Sequence, residues 1–146
     1  MRRSVLLAAG GGLLALTGAL VSPAATAAPL DAFVIQSWGK DNCQEGYVCL
    51  YEDWHFNRNQ KDWKILLTRK DLGNLGGDFH MDDRTSAVFN NSDRTVKLYP
   101  GKYHMGVPLT VGPREAFDFT NDDSLESDMY NDKYSSLKFT TGGNDH

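Results

Sequence analysis

The sequence predicts an all-β protein: two Greek-key units packed face to face as a β-sandwich. Three observations carry this. Short segments rich in β-branched and aromatic residues recur ("YVCLY", "WKILLT", "TSAVFN", "TVKLY", "VPLTV", "SSLKF"), and turn-forming clusters such as "NNSD", "PGK", "VGPRE" and "LGGD" separate them. No long stretch carries an amphipathic helical period, although "TRKDLGNLG" has room for one helical turn before its glycines. The chain also repeats itself. "VCLYEDWHF" (48–56) resembles "VKLYPGKYH" (96–104), displaced by 48 residues, and "MDDRTSAVF" (81–89) resembles "NDKYSSLKF" (131–139), displaced by 50. Two signals in the same order imply duplication of one four-stranded unit. Neither half could bury its apolar face alone, so the two share a core.

Taken in order, residues 1–27 read as a secretory signal. Arg2 and Arg3 form a basic n-region, an apolar stretch follows, and small residues end in "ATA" before the expected cleavage after Ala27. The apolar run is glycine-interrupted and short for a bilayer span, so no membrane association is expected after cleavage. Residues 28–42 form an N-terminal segment. The domain proper covers 43–140, with one Greek key at about 43–90 and the other at about 91–140, and residues 141–146 form a flexible tail.

The mature chain has 119 residues, enough for one compact domain with a modest core. Without Arg2 and Arg3 it carries 13 basic against 19 acidic side chains. That balance argues against nucleic-acid binding, which needs a basic patch. It suits cations or a basic groove on a partner protein. The only two cysteines, Cys43 and Cys49 in "CQEGYVC", are expected to form a disulfide in an oxidising compartment.

The residues at the two hairpins resemble the βγ-crystallin superfamily, whose Greek keys carry Tyr-x-x-x-x-Phe-x-Gly and a later Ser. "YEDWHFNR" matches from Tyr51 to Phe56 but has Arg58 in place of Gly, which implies a modified turn there. "YPGKYHMG" keeps Tyr99 and Gly106 but has His104 in place of Phe. The "GYVCLYED" opening and the signal make the chain similar to the small secreted microbial metalloproteinase inhibitors of βγ-crystallin fold. Killer-toxin-like proteins share that scaffold.

The resemblance implies calcium. Microbial members use two Asn/Asp, two free positions, then Ser/Thr and Ser, and "NDKYSS" satisfies every position. Ca²⁺ takes six to eight hard oxygen ligands. The expected site combines Asn131, Asp132, the carbonyl of Lys133 and the hydroxyl of Ser135 with Glu52 from the first hairpin. A weaker second site is expected at Asp82, Asp83 and Thr85, with Met81 in the first acidic position. The bland alternative is that both turns only satisfy their own backbone groups. Asp122, Asp123, Glu126 and Asp128 read as a solvated acidic loop.

The resemblance further implies a peptidase inhibitor acting on an extracellular protease, most specifically a metalloproteinase. The segment Tyr103, His104, Met105, Gly106 and Val107 could be the inhibitory loop, its apolar Met105 and Val107 suiting a hydrophobic specificity pocket. The other reading is an ordinary hairpin with Tyr103 partly buried. Inhibitors of this kind generally carry a second disulfide bracing the reactive loop, and this chain has only one cysteine pair. The alternative function is a non-inhibitory calcium-binding module or a killer-toxin-like protein. A monomer is expected. Catalysis is not: no His-Glu-x-x-His or Gly-x-Ser-x-Gly is present, and His55, His80, His104 and His146 show no ligand spacing. Trp54 and Trp63 are expected to cover the core or its edge. Trp38 is either an exposed contact or a flap over one sheet.

Overall fold

The computed structural model describes residues 27–58, 60–119 and 130–140. The expected signal, acidic loop and tail fall almost wholly outside these. Among the described residues there are eight strands: β1 (Ala32–Gln36), β2 (Val48–Tyr51), β3 (Lys64–Thr68), β4 (Ala87–Asn90), β5 (Thr95–Tyr99), β6 (Leu109–Val111), β7 (Ala116–Asp118) and β8 (Ser136–Thr140). They form a five-stranded sheet in the order β1-β3-β2-β4-β7 and a three-stranded sheet in the order β6-β5-β8. Every pairing between these strands is antiparallel.

The two halves interleave. β7, from the second half, completes the first sheet beside β4. Leu72, from the first half, bridges to Leu137 on β8 and so extends the second sheet. The helical turn expected in "TRKDLGNLG" is therefore replaced by an edge contact. An extended Leu72 can both pair its backbone and bury its side chain in the core.

Two apolar clusters hold the sheets. The larger lies between them, built from Val48, Leu50, Leu66 and Val88 on one side and Val96, Leu98, Val111 and Leu137 on the other. The smaller gathers Cys43, Tyr47, Cys49, Tyr51, Ile65 and Leu67. Alternation along β1 to β4 divides their side chains between the two clusters. β1 shows why the first sheet gains a strand: Ala32 and Val34 pack on the larger cluster, Phe33 and Ile35 on the smaller. Within residues 28–42, Ala32–Gln36 is thus part of the sheet.

The expected disulfide joins Cys43 to Cys49, with both cysteines buried. Changing both cysteines to serine should lower stability by about 2 kcal/mol, since the bridge closes a short loop in the unfolded chain. The measurement is a urea midpoint at unchanged slope. An unmoved midpoint would show that the bridge constrains nothing.

Candidate functional site

The register of the two sheets sets which residues of the halves are equivalent. Tyr51 on β2 faces Ala87 on β4, and Tyr99 on β5 faces Ser136 on β8. The early strands are therefore displaced by 48 residues, as read from sequence, but the late strands by 49 instead of 50. The shared Phe of "SAVF" and "SLKF" suggests the longer offset. Burial decides for the shorter one, because Phe139 takes the inward position held by Asn90, while Phe89 takes the outer position held by the exposed Lys138. The counterpart of Asn131-Asp132 is then Asp82-Asp83, two acids, and Met81 stands outside the repeat.

These twin turns clasp each other. Asp132 N–H donates to Thr85 O at 3.1 Å, and Asp83 N–H donates to Tyr134 O at 3.0 Å. The side chains repeat the exchange: Ser86 Oγ donates to Asp132 Oδ1 at 3.2 Å, and Ser135 Oγ to Asp83 Oδ1 at 3.3 Å. Asp83 and Asp132 both sit in the left-handed region, at φ 50° and 51°, which a short acidic side chain tolerates. Each hairpin then reaches the other half's first acidic position. Trp54 Nε1 donates to Asn131 Oδ1 at 3.3 Å, and its equivalent Lys102 places Nζ 3.1 Å from Asp82 Oδ2.

Of the residues expected around a cation, Glu52, Asn131 and Asp132 line one pocket, together with Asp83, Arg84 and the half-exposed Trp54 and Trp63. Lys133 lines a different one, beside Val107 and Pro108. Ser135 points to Asp83, and Thr85 Oγ1 is buried without a hydrogen-bond partner. Among the described residues no three His, Cys, Asp or Glu side chains are grouped to hold a metal ion.

Asp82 has a perturbed carboxyl. The nearby Ser135 hydroxyl, whose bond in this structure goes to Asp83, and Lys102, 3.1 Å from Oδ2, hold the Asp82 pKa below its ordinary value against the opposite pull of burial. A depressed folded-state pKa gives stabilisation that is complete above the unfolded value and is lost as pH falls through the folded one. The thermal midpoint should therefore drop below about pH 4, and less steeply in Asp82→Asn. Equal slopes in both proteins would remove Asp82 from the acid transition.

The two hairpins solve one backbone problem differently. In the second, Tyr103 and His104 are left-handed at φ 56° and 65°, and Gly106 returns to positive φ at 92°. In the first, His55, Phe56 and Asn57 are left-handed in succession, and Arg58 has an ordinary φ of −53°. The strained position has moved one residue back, onto an asparagine, and that is how arginine is accommodated. Asn57 is wholly buried. Its Oδ1 accepts from Asp53 N–H at 2.8 Å, and its Nδ2 donates to Lys64 O at 2.9 Å and Ser37 O at 3.1 Å.

The second hairpin presents an apolar edge to solvent. Tyr103, Met105 and Val107 are 76%, 67% and 89% exposed. The reading with a partly buried Tyr103 is thus corrected: Tyr103 is left-handed, and its backbone N–H is turned inward to Gly73 O at 2.6 Å. His104 points the other way. Its ring lies 5.4 Å from that of Tyr99, where the first hairpin sets Phe56 against Tyr51, and its Nε2–H donates to Leu137 O. Ser136 Oγ donates to Gly101 O at 2.6 Å and accepts from His104 N–H at 2.9 Å. Gly101 N–H closes the loop onto Met105 O. A Cβ on Gly101 would come within 2.8 Å of Met105, and one on Gly106 within 2.7 Å of Pro100.

The model of peptidase inhibitor family I36 matches residues 36–108, half of the chain, with this whole hairpin inside the match. The chain belongs to peptidase inhibitor family I36. No curated protein matches it. Among solved structures, one described under the evolution of the eye lens βγ-crystallin domain fold is 14% identical. It has a TM-score of 0.58, over 77% of this chain and 99% of its own. An archaeal βγ-crystallin is 19% identical at a TM-score of 0.47, over 64% of this chain and 96% of its own. A βγ-crystallin domain from Clostridium beijerinckii is 20% identical at 0.45, over 64% and 95%. At such identities the likeness speaks to fold alone. This I36 protein is thus a mostly β, two-sheet chain of βγ-crystallin fold. Its sequence offered no signal for Asn57 or for the Ser136 clasp beyond the amide and hydroxyl themselves.

Proposed function

We propose that this I36 protein is a secreted, monomeric, non-catalytic inhibitor of an extracellular peptidase, a metalloproteinase first, which it engages through residues 103–107. The observation that carries this is the edge formed by Tyr103, Met105 and Val107, apolar, exposed and held from beneath. A segment fixed before binding loses little conformational entropy on entering a cleft. Pro100 and Pro108 bound it, and the Ser136, Gly101 and His104 bonds brace it where a second disulfide is missing. Export agrees with the disulfide and with residues 1–27 read as a signal. Among the described residues no helix is long and apolar enough to cross a membrane.

The test is inhibition of a thermolysin-type metallopeptidase by purified mature protein, with a serine peptidase in parallel. Competitive inhibition of the metallopeptidase at or below about 1 μM, an ordinary strength for a specific complex, supports the reading. Inhibition of the serine peptidase alone would correct the target class. No inhibition of either at a hundredfold higher concentration would overturn it.

A further inference from the structure

We propose that Arg84 is a tethered cation, its guanidinium holding against Glu52 the place a divalent ion would take and closing the "NDKYSS" site to calcium in the native protein. The pocket, about 290 Å³, is lined by the carboxylates of Glu52, Asp53, Asp83 and Asp132, with Arg84 the one basic side chain among its lining residues. That excess of negative charge needs a positive partner.

Glu52 is the residue most committed. Its side chain is only 8% exposed. Oε1 lies 2.8 Å from Arg84 Nη1, and Oε2 accepts from Lys64 N–H at 3.0 Å. Both carboxylate oxygens are engaged, and a carboxylate this buried is costly without a counter-charge. Three of the remaining expected donors are already hydrogen-bonded, and Lys133 lines a different pocket. Asn131 Oδ1 accepts from Trp54, Asp132 accepts from Ser86 and from Asn131 Nδ2, and Ser135 donates to Asp83.

A calcium ion needs six to eight oxygens at about 2.3–2.6 Å, so it would have to displace the guanidinium and open the clasp between the twin turns. The residues of the first site therefore do not fit a bound dication while Arg84 is in place. Arg84 pays no association entropy, being part of the chain. The inference stands apart from the peptidase reading, since it concerns the opposite hairpin.

The experiment compares thermal midpoints in CaCl₂ and in EDTA, with calorimetric titration of CaCl₂, for wild type, Glu52→Gln, Arg84→Gln, Arg84→Lys and Arg84→Gln/Glu52→Gln. The wild type and Arg84→Lys should show no calcium binding that depends on Glu52. Arg84→Gln should gain a calcium-dependent rise of about 4 °C or more at saturation, and the double variant should lose it. Calcium binding by the wild type that Glu52→Gln abolishes would overturn the proposal, even if Arg84→Gln failed to fold. A folded Arg84→Gln that gains no calcium response would overturn it too.

Discussion

Alanine in place of Asn57 should lower the unfolding free energy by about 3 kcal/mol, among the largest single-residue losses outside the apolar core. The substitution leaves the Asp53 N–H and the Ser37 carbonyl without their side-chain partner in a partly buried place, while the Lys64 carbonyl keeps Glu52 N–H. Each such orphan costs about 1–3 kcal/mol, partly relieved by water or relaxation. Alanine also tolerates a φ of 56° poorly, at roughly 1 kcal/mol. Glycine separates the two terms: Asn57→Gly keeps the backbone freedom, loses the same bonds and should lose less. Arg58→Gly should gain nothing, since Arg58 already has an ordinary φ. Urea unfolding measures all three. A loss under about 1 kcal/mol for Asn57→Ala would mean that the hairpin is held elsewhere.

Placing aspartate at both Met105 and Val107 should weaken inhibition at least about a hundredfold while leaving the melting temperature within a degree or two. Two apolar side chains at the centre of a contact commonly carry energy of that size, and two buried charges would oppose docking. Both positions face solvent in the free protein, so the fold has no stake in them. By contrast, Ser136→Ala removes the clasp on Gly101 and His104. It should weaken inhibition by loosening the loop while every contact residue stays in place. If the double aspartate variant inhibits as well as the wild type, the contact surface lies elsewhere.

The sheets were largely legible because strand pattern, turn chemistry and duplication agree with one another. What escaped had local reasons. β1 lay in what was read only as an N-terminal segment, because "AFVIQ" is apolar on both faces and shows no polar alternation; the structure packs the two faces on two clusters. β7 is only "AFD", too short to announce itself. The register of the late strands was misjudged by one residue because a shared phenylalanine outweighed burial, which a sequence does not display. The same slip made Met81 look like a lost ligand when it is a core residue. Glu52, Asn131 and Asp132 were brought together from sequence, whereas the pairing of Glu52 with Arg84, 32 residues away, depends on tertiary approach alone.

The exchange of edge contacts between the halves has a temporal meaning. Synthesis delivers β1 to β4 before the rest, but their sheet stays incomplete until Ala116–Asp118 emerges, and the other sheet waits for Ser136–Thr140. No nascent chain that ends before the final strand can settle into a half-built native state. Such a polypeptide remains pliable until Ser136–Thr140 is made.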